Sequence, residues 1–538
     1  MSRHPTSASR AGTPARASTT GLIEPPQSDG GTARRYAARA GRSVRRSLGS
    51  ARTLRRIPRA AWICAVVATL SAVCWSMITP PFQAPDEPSH FAYVQLLAET
   101  GKLPSSSADD WSQEEETVVT ALDQSGIEWH PEVHTISSPS AQRILQEDLT
   151  LPLRRVGKGG AGVAASEPPL YYALEAIPYF LGAGGTLLDR LELMRLLSAL
   201  MAGVTALFVF LFVRESLPKV PWAWTVGGLA AALAPPLGFT SGAVTPDALL
   251  FAVSAASFYV LARAFRHGLT RRRAVAIGLV TAIGFLTKLN FLGLAPGVML
   301  GLVILAFRGV GHGSGEGRTQ RAFGNMVLAM AIAISPICVY VLSNALDHHH
   351  LLGLVSSGIN GENRHGSIFS EVSYIWEFYL PRLPGMVKYF PGLSTIRYLW
   401  FDRAVGLYGW LDTSFPTSVE NLALIPAGLI AILSLRALLG SRAALRARLP
   451  EILVYLVMSV GVMVLLGQDS HLHGGVEGAG WAQPRYLMPM LPLAAALFAL
   501  AARGAGKRWG PAVGVLIVTL FLAQDIFSQL LVVSRFYG

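Results

Sequence analysis

With 538 residues, 51% of them hydrophobic and 14% charged, and a mean hydropathy of +0.41, the chain is too apolar for a soluble globular protein, in which about 25% of residues are charged. The formal charge of +12 does not indicate nucleic acid, because thirteen arginines precede residue 60 and most other basic residues cluster between apolar runs. That distribution orients membrane proteins. Cys64, Cys74 and Cys338 all fall within predicted spans, so they offer neither a disulfide framework nor a metal-ligand spacing.

Residues 1–59 are rich in Ser, Thr, Ala, Gly, Pro and Arg, with Glu24 and Asp29 as their only acids. Without apolar periodicity this reads as a disordered basic tail, held in the cytoplasm and drawn to anionic lipid. The first apolar run, Ala60 to Thr79, is long enough to span a bilayer core at roughly 1.5 Å per residue. Directly after it comes Pro80-Pro81-Phe82-Gln83-Ala84-Pro85-Asp86-Glu87-Pro88-Ser89-His90-Phe91. Phe91, Val94, Leu97 and Ala98 then share one helical face until Gly101 and Pro104 close the segment. A short interfacial helix is predicted, with Asp86 and Glu87 at its N-terminal mouth. Those two acids suit capping as well as chemistry, since Asp is a favoured N-cap and acids complement the helix dipole.

The loop 80–191 is polar and acidic in its middle (Asp109, Asp110, Glu114, Glu115, Glu116) and holds His130 and His134. Glu167-Pro168-Pro169-Leu170-Tyr171-Tyr172 opens an apolar stretch ending at Leu181, too short to cross and read as re-entrant or interfacial. Ten further spans are predicted at 193–213, 221–241, 245–262, 274–289, 291–307, 323–345, 419–438, 451–467, 485–502 and 511–533. The fold class is thus an all-α polytopic membrane protein of about 11 transmembrane helices, with interfacial helices in the first and a later outer loop. Residues 274–307 also read as one re-entrant pair. Arg214, Lys219, Arg263, Arg266, Arg271–Arg273, Arg308, Arg436, Arg442, Arg503 and Lys507 fall in alternate connections. This bias predicts a multi-pass plasma-membrane protein with its N-terminus inside and the loops 80–191, 346–418 and 468–484 together on the outer face. The transmembrane domain is taken as residues 60–538.

Charges near apolar spans are costly and need a reason. Asp247, in Thr245-Pro246-Asp247-Ala248, opens a span at the outer face and could cap it. Lys288, in Phe285-Leu286-Thr287-Lys288-Leu289-Asn290, lies at an outer end against the inside bias of basic residues, so an anionic partner is expected; snorkelling to headgroups is the alternative. Arg485, in Ala482-Gln483-Pro484-Arg485-Tyr486-Leu487-Met488-Pro489, opens the next-to-last span, and its guanidinium has the right shape for a phosphate. Pro484 offers no N–H to a ligand. Arg195 is expected to pair with Glu192 or Asp189, and Asp525 to make a polar interhelical contact. The histidines His348–His350 and the set Asp469, His471, His473 and Glu477 match no ligand pattern. No cofactor is therefore expected, with a divalent cation left as an open alternative. The aromatics of 374–410 suit interfacial helices and an aromatic belt; a sugar platform is the less specific reading.

Asp86-Glu87 followed by His90-Phe91, straight after a first span, resembles the acidic motif in the first outer loop of GT-C glycosyltransferases. Protein O-mannosyltransferases carry a similar Asp-Glu-x-x-His-Phe pattern. The closer resemblance is to an uncharacterised bacterial GT-C-like membrane family whose members open with Pro-Asp-Glu-x-x-His-Phe. Pro-Pro-Leu-Tyr-Tyr at 168–172 resembles lipid-A aminoarabinose transferases, where such a helix covers the active site. In the bacterial family, elements like Asn-Pro-Asp and Gln-Gly-Arg-Tyr stand where this chain has Thr245-Pro246-Asp247 and Gln483-Pro484-Arg485-Tyr486.

The resemblance implies a GT-C-like glycosyltransferase that moves a sugar from a polyprenyl-phosphate donor to an outer-surface glycan or glycolipid acceptor, inverting the anomeric carbon. It implies Asp86 and Glu87 as the catalytic carboxylates, Asp86 being the base and Glu87 shaping the motif together with His90. His90, Asp247, Lys288, Gln483, Arg485 and Tyr486 are the implied substrate-binding residues, and donor, acceptor and lipid bilayer the partners, with no nucleic acid. A flippase of lipid-linked glycans, or a non-catalytic scaffold of the same fold, is the alternative. A transporter should instead place its ionisable residues near the bilayer midplane and show broken helices or internal repeats.

Overall fold

The computed structural model describes residues 57–135, 138–311, 316–346, 367–472 and 482–538. The basic tail, His348–His350, His473 and Glu477 lie outside the described residues. The first span is α1 (Arg59–Ile78), and the predicted short helix is α2 (Glu87–Thr100), closed by Gly101 at φ 68°. The acidic stretch of the first loop forms α3 (Gln113–Ala121), and α4 (Leu170–Leu181) follows Pro168-Pro169. Next come α5 (Leu187–Ser216), α6 (Pro221–Ala232), α7 (Pro235–Ser241) and α8 (Asp247–His267). Further along come α9 (Arg271–Thr287), α10 (Ala295–Gly311), α11 (Glu316–Leu346), α12 (Ile368–Tyr379), α13 (Thr417–Leu439), α14 (Leu449–Leu472), α15 (Leu491–Gly504) and α16 (Gly506–Tyr537), with shorter helices such as Pro139–Thr150 in the loops. A small antiparallel hairpin, β1 (Leu407–Tyr408) and β2 (Thr413–Ser414), pairs Leu407 with Ser414.

Among the described residues, eight helices are long and apolar enough to cross a membrane, and each coincides with a predicted span. The protein is an all-α polytopic membrane protein. The other three predicted spans are shorter or broken. The stretch 221–241 divides into α6 and α7 because Pro235 and Pro236 cannot continue the helical hydrogen bonding. At 274–307, α9 ends at Thr287, Lys288 is extended, and a 3-10 turn over Leu289–Gly293 leads into α10. That break falls at the bend predicted around Leu289-Asn290.

Residues 59–538 form one compact unit, in which α5 packs on α1, α6 and α8. Gly203 lets α5 approach closely, since a Cβ there would lie 2.3 Å from Thr69 Oγ1. Small residues serve helix contact in membranes because apolar lipid gives no hydrophobic drive to association. The outer helix α13 instead leaves Leu422, Ile425 and Ile432 exposed, as a lipid-facing helix should. Asp525 on α16 accepts hydrogen bonds from Trp75 Nε1 (2.8 Å) and Ser71 Oγ (3.0 Å) on α1, the interhelical contact expected of it.

The one-faced prediction for α2 is too narrow. Every residue from Glu87 to Leu96 is buried, because α4 and a 3-10 turn over Gly162–Ser166 cover the helix. The covering helix α4 is itself held by Tyr171, whose hydroxyl meets Ser198 Oγ at 2.8 Å, and by Glu175, which accepts from Ser198 Oγ at 2.9 Å. Burial pushes the Glu175 carboxyl up to about 8, against the opposing hydrogen bonds from Ser198 and Tyr171. A group with its folded pKa raised contributes stability that is present below its unfolded value and lost as pH rises through the folded one. Glu175→Gln should therefore be more stable than wild type near pH 8 and lose less of its melting temperature between about pH 5 and pH 8. Thermal unfolding of both proteins across that range, read as their difference, checks this.

Candidate active site

The turn between α1 and α2 is held from inside by its second carboxylate. Glu87 is fully buried, and its Oε1 accepts from Arg195 Nε at 2.8 Å while Oε2 accepts from Arg195 Nη2. The backbone N–H groups of Phe82 and Val244, both at 3.0 Å, complete its shell. Arg195, also fully buried on α5, donates its remaining hydrogens to the carbonyls of Ser76 (3.1 Å), Thr79 (2.9 Å) and Pro80 (3.1 Å). One bidentate pair thus ties together the end of α1, the turn, α2, α5 and the segment before α8. Glu192 is a more distant partner at 3.6 Å, and Asp189 caps its own helix at Thr186. Sequence reasoning looked only at these neighbours of Arg195 and missed Glu87.

With Glu87 turned inward, Asp86 is turned out. It has φ 66°, a left-handed conformation uncommon for a residue with a Cβ, and its side chain makes no capping hydrogen bond. Its carboxylate instead meets Arg485 Nη2 at 2.9 Å and stays about one third exposed. Arg485 sits in the 3-10 turn Pro484–Met490, lies over the Tyr486 ring at 5.2 Å, and directs Nε toward Asp247 Oδ2 at 3.8 Å. Neither Arg485 Nε nor Asp247 Oδ2 has a hydrogen-bond partner among the described residues. Asp247, buried at the start of α8, does not cap its helix either; its Oδ1 pairs with Lys288 Nζ at 2.9 Å. Lys288 is presented by the break after α9 and also reaches Glu167 Oε1 at 3.6 Å.

Three carboxylates, on Asp86, Asp247 and Glu167, therefore share two cations. Burial raises the Glu167 carboxyl above its usual range, with Lys288 opposing. His90, one turn into α2, is buried and bonds Tyr172 Oη through Nδ1 at 3.0 Å, and Tyr172 stacks on Tyr93 at 3.7 Å. Burial, reinforced by Lys288, holds His90 well below the usual histidine range, so it is neutral and adds no third cation.

These groups line one cavity of about 690 Å³, within the ~300–1,000 Å³ range typical of small-molecule sites. Asp86, His90, Lys288, Gln483, Arg485 and Tyr486 all face it, whereas Glu87 lies behind the wall and Asp247 beneath the two cations. Sequence reasoning did not single out Glu167 or Trp129 as site residues, and both line the cavity, as do Trp400 and Trp410 from the aromatic stretch 374–410. An acid directly before Pro168-Pro169 was the available signal for Glu167; a lone tryptophan in a polar loop gave none. Among the described residues no group of three His, Cys, Asp or Glu side chains converges as metal ligands. Tyr374, Phe378, Phe390 and Leu399 from the aromatic stretch 374–410 pack together as a local core, with Trp400 against it.

A family model described as predicted membrane protein (DUF2142) matches residues 69–494. No curated protein sequence matches the chain significantly. Among solved structures the chain is similar to the Archaeoglobus fulgidus oligosaccharyltransferase in its apo form, at 12% identity and TM-score 0.42, over 88% of this chain and 56% of that one. It is similar also to ArnT from Cupriavidus metallidurans bound to undecaprenyl phosphate, at 15% identity and TM-score 0.43, over 85% and 63%. The chain thus spans less than two thirds of the length of either.

Removing one partner of a buried ion pair leaves the other uncompensated, at a cost of about 3–5 kcal/mol. Arg195→Met should accordingly lower the melting temperature sharply, and adding Glu87→Gln in the same chain should recover part of the loss. Melting of the two single variants and the double variant checks this coupling.

Proposed function

The chain belongs to the DUF2142 family of predicted membrane proteins, and from that premise we propose that it is a glycosyltransferase that takes a sugar from a polyprenyl-phosphate donor and transfers it to a glycan or glycolipid. The observation that carries the reading is the joint placement of a partly exposed carboxylate, Asp86, and two cations, Lys288 and Arg485, on one cavity wall. The resemblance of Pro85-Asp86-Glu87-x-x-His90-Phe91 to the first-loop motif of GT-C enzymes supports the same chemistry.

The donor's tail needs the bilayer, and its phosphate needs cations. Arg485 Nε, buried without a hydrogen-bond partner among the described residues, is a donor for a phosphate oxygen, and Lys288 Nζ supplies the second charge. Asp247 holds the two cations in register. The acceptor hydroxyl oxygen attacks the anomeric carbon and forms the new C–O bond. The bond from that carbon to the phosphate oxygen breaks, and its electron pair leaves with the polyprenyl phosphate. Asp86 takes the hydroxyl proton as general base, and the two cations stabilise the charge developing on the phosphate. A single displacement inverts the anomeric configuration.

Glu87 acts by position, setting the turn that aims Asp86, and neutral His90 pins Tyr172 and the covering helix α4. Gln483 and Tyr486 complete the wall around Arg485. The alternation of Lys and Arg between spans favours a cytoplasmic N-terminus, with residues 1–59 as a basic cytoplasmic tail and the cavity on the outer face of the plasma membrane.

The test is envelope glycan linkage analysis in a strain lacking this chain, complemented with wild-type or Asp86→Asn protein. One sugar linkage should disappear and return only with wild type. Restoration by Asp86→Asn at the wild-type level would remove Asp86 as the base.

A further inference from the structure

The cavity has an aromatic side that the proposed reaction does not use. Trp129, from the first loop, and Trp410, from the turn between β1 and β2, both line it, with ring centroids 6.3 Å apart and planes at 54°. Five non-glycine residues among those described have positive φ, and Asp86, Trp129 (φ 63°) and Leu411 (φ 67°) all line this cavity. Such conformations are disfavoured for residues with a Cβ and persist where surrounding contacts enforce them, commonly at functional sites.

Around Trp129 and Leu411 the gathering contact is Arg535, near the end of α16. Its guanidinium donates to the carbonyls of Ile127 (3.0 Å), His130 (2.9 Å) and Val133 (2.6 Å), which gather the loop around Trp129. The same guanidinium pairs with Asp412 Oδ2 at 2.9 Å, in the turn that carries Trp410 and Leu411. The backbone of α16 joins in, as Thr135 N–H donates to Phe536 O at 3.0 Å. One buried arginine therefore fastens two segments, distant in sequence, that each deliver one indole.

We propose that Trp129 and Trp410 form the wall on which a sugar ring of the acceptor stacks, with Arg535 as the residue that positions both indoles. This rests on the glycosyltransferase reading and names the acceptor subsite within it. The chemistry of the cavity selects a carbohydrate. A sugar ring offers a C–H face to an indole and hydroxyls to polar groups at its edge. Asp86 and Asp469 line the same cavity and bring carboxylate oxygens, the acceptors that sugar hydroxyls require. Trp410 Nε1 is buried without a hydrogen-bond partner among the described residues, a donor that a sugar oxygen would satisfy. Trp129 is 44% exposed, and its own Nε1 donates to Glu128 Oε1 at 2.8 Å, which helps fix the orientation of the ring. A polyprenyl tail alone would gain nothing from carboxylates beside the rings.

The test uses the full chain in lipid nanodiscs, titrated with methyl glycosides of mannopyranose, glucopyranose, galactopyranose and arabinofuranose. Binding is read by saturation-transfer NMR and tryptophan emission, and undecaprenyl phosphate is titrated separately. At least one glycoside should bind saturably, and Trp129→Ala and Trp410→Ala should each weaken it about tenfold while Trp→Phe at either position restores most of it. Undecaprenyl phosphate should bind these variants as it binds wild type. Arg535→Gln should shift the tryptophan emission and weaken the glycoside, with partial rescue by Arg535→Lys and no change for undecaprenyl phosphate.

The proposal is overturned if no glycoside saturates, or if the alanine variants bind it as wild type does. It is overturned also if those variants weaken undecaprenyl phosphate alone, which would make the wall a seat for the lipid tail. Because these readouts need no turnover, glycoside binding by a protein that transfers no sugar would count against the reaction and leave the wall standing.

Discussion

The buried pair between Glu87 and Arg195 is the constraint on which the site depends. A glutamate with no exposure, at the start of a helix, is tolerable only because a guanidinium and two backbone N–H groups satisfy it. Arg195 in turn collects three carbonyls at the end of α1, groups that a helix terminus otherwise leaves without partners. This pair fixes which way the adjacent acids face. Glu87 is committed to structure, and Asp86, forced to positive φ, is committed to the cavity.

The charges around the cavity form a second layer with a different balance. Each carboxylate engages a cation, yet the fit is loose where Arg485 Nε and Asp247 Oδ2 stand 3.8 Å apart without hydrogen bonds among the described residues. Fully satisfied buried networks rigidify a core, whereas partly satisfied ones carry a cost that a ligand can relieve. In the proposed reaction, an arriving phosphate would take Arg485 and Lys288 as partners in competition with Asp86 and Glu167. Asp86, freed from Arg485 by that exchange, would be released for the acceptor hydroxyl at the moment the donor is seated.

Much of this arrangement was legible in the sequence, for one physical reason: a charge beside an apolar run needs an explanation. Asp247, Lys288 and Arg485 stood out on that ground, Asp86 through its place in the Asp-Glu-x-x-His-Phe motif after the first span, and the fold brings all four together. Helix α4 was legible as a twelve-residue, mostly apolar stretch after Pro168-Pro169, and the break at Lys288 as a bend between short spans. What was hidden depends on long-range contact. Arg195 was matched with acids three and six positions away, whereas its chief partner lies 108 residues earlier. Trp129 carries no local signal, because what makes it part of a wall is Arg535, some four hundred residues later. The one-faced pattern of α2 understated its burial, since the periodicity of a helix cannot show how many neighbours will cover it.

The most direct measurement is the affinity of the purified chain for undecaprenyl phosphate, with undecaprenol as the uncharged comparison, in wild type, Lys288→Gln, Arg485→Gln and Asp86→Asn. If the two cations seat the lipid phosphate, wild type prefers the phosphate to the alcohol, and each cation variant binds it about tenfold or more weakly. Asp86→Asn, with a competing anion removed, binds it at least as tightly as wild type. Equal binding of phosphate and alcohol, or affinities unchanged across the cation variants, would contradict the assignment.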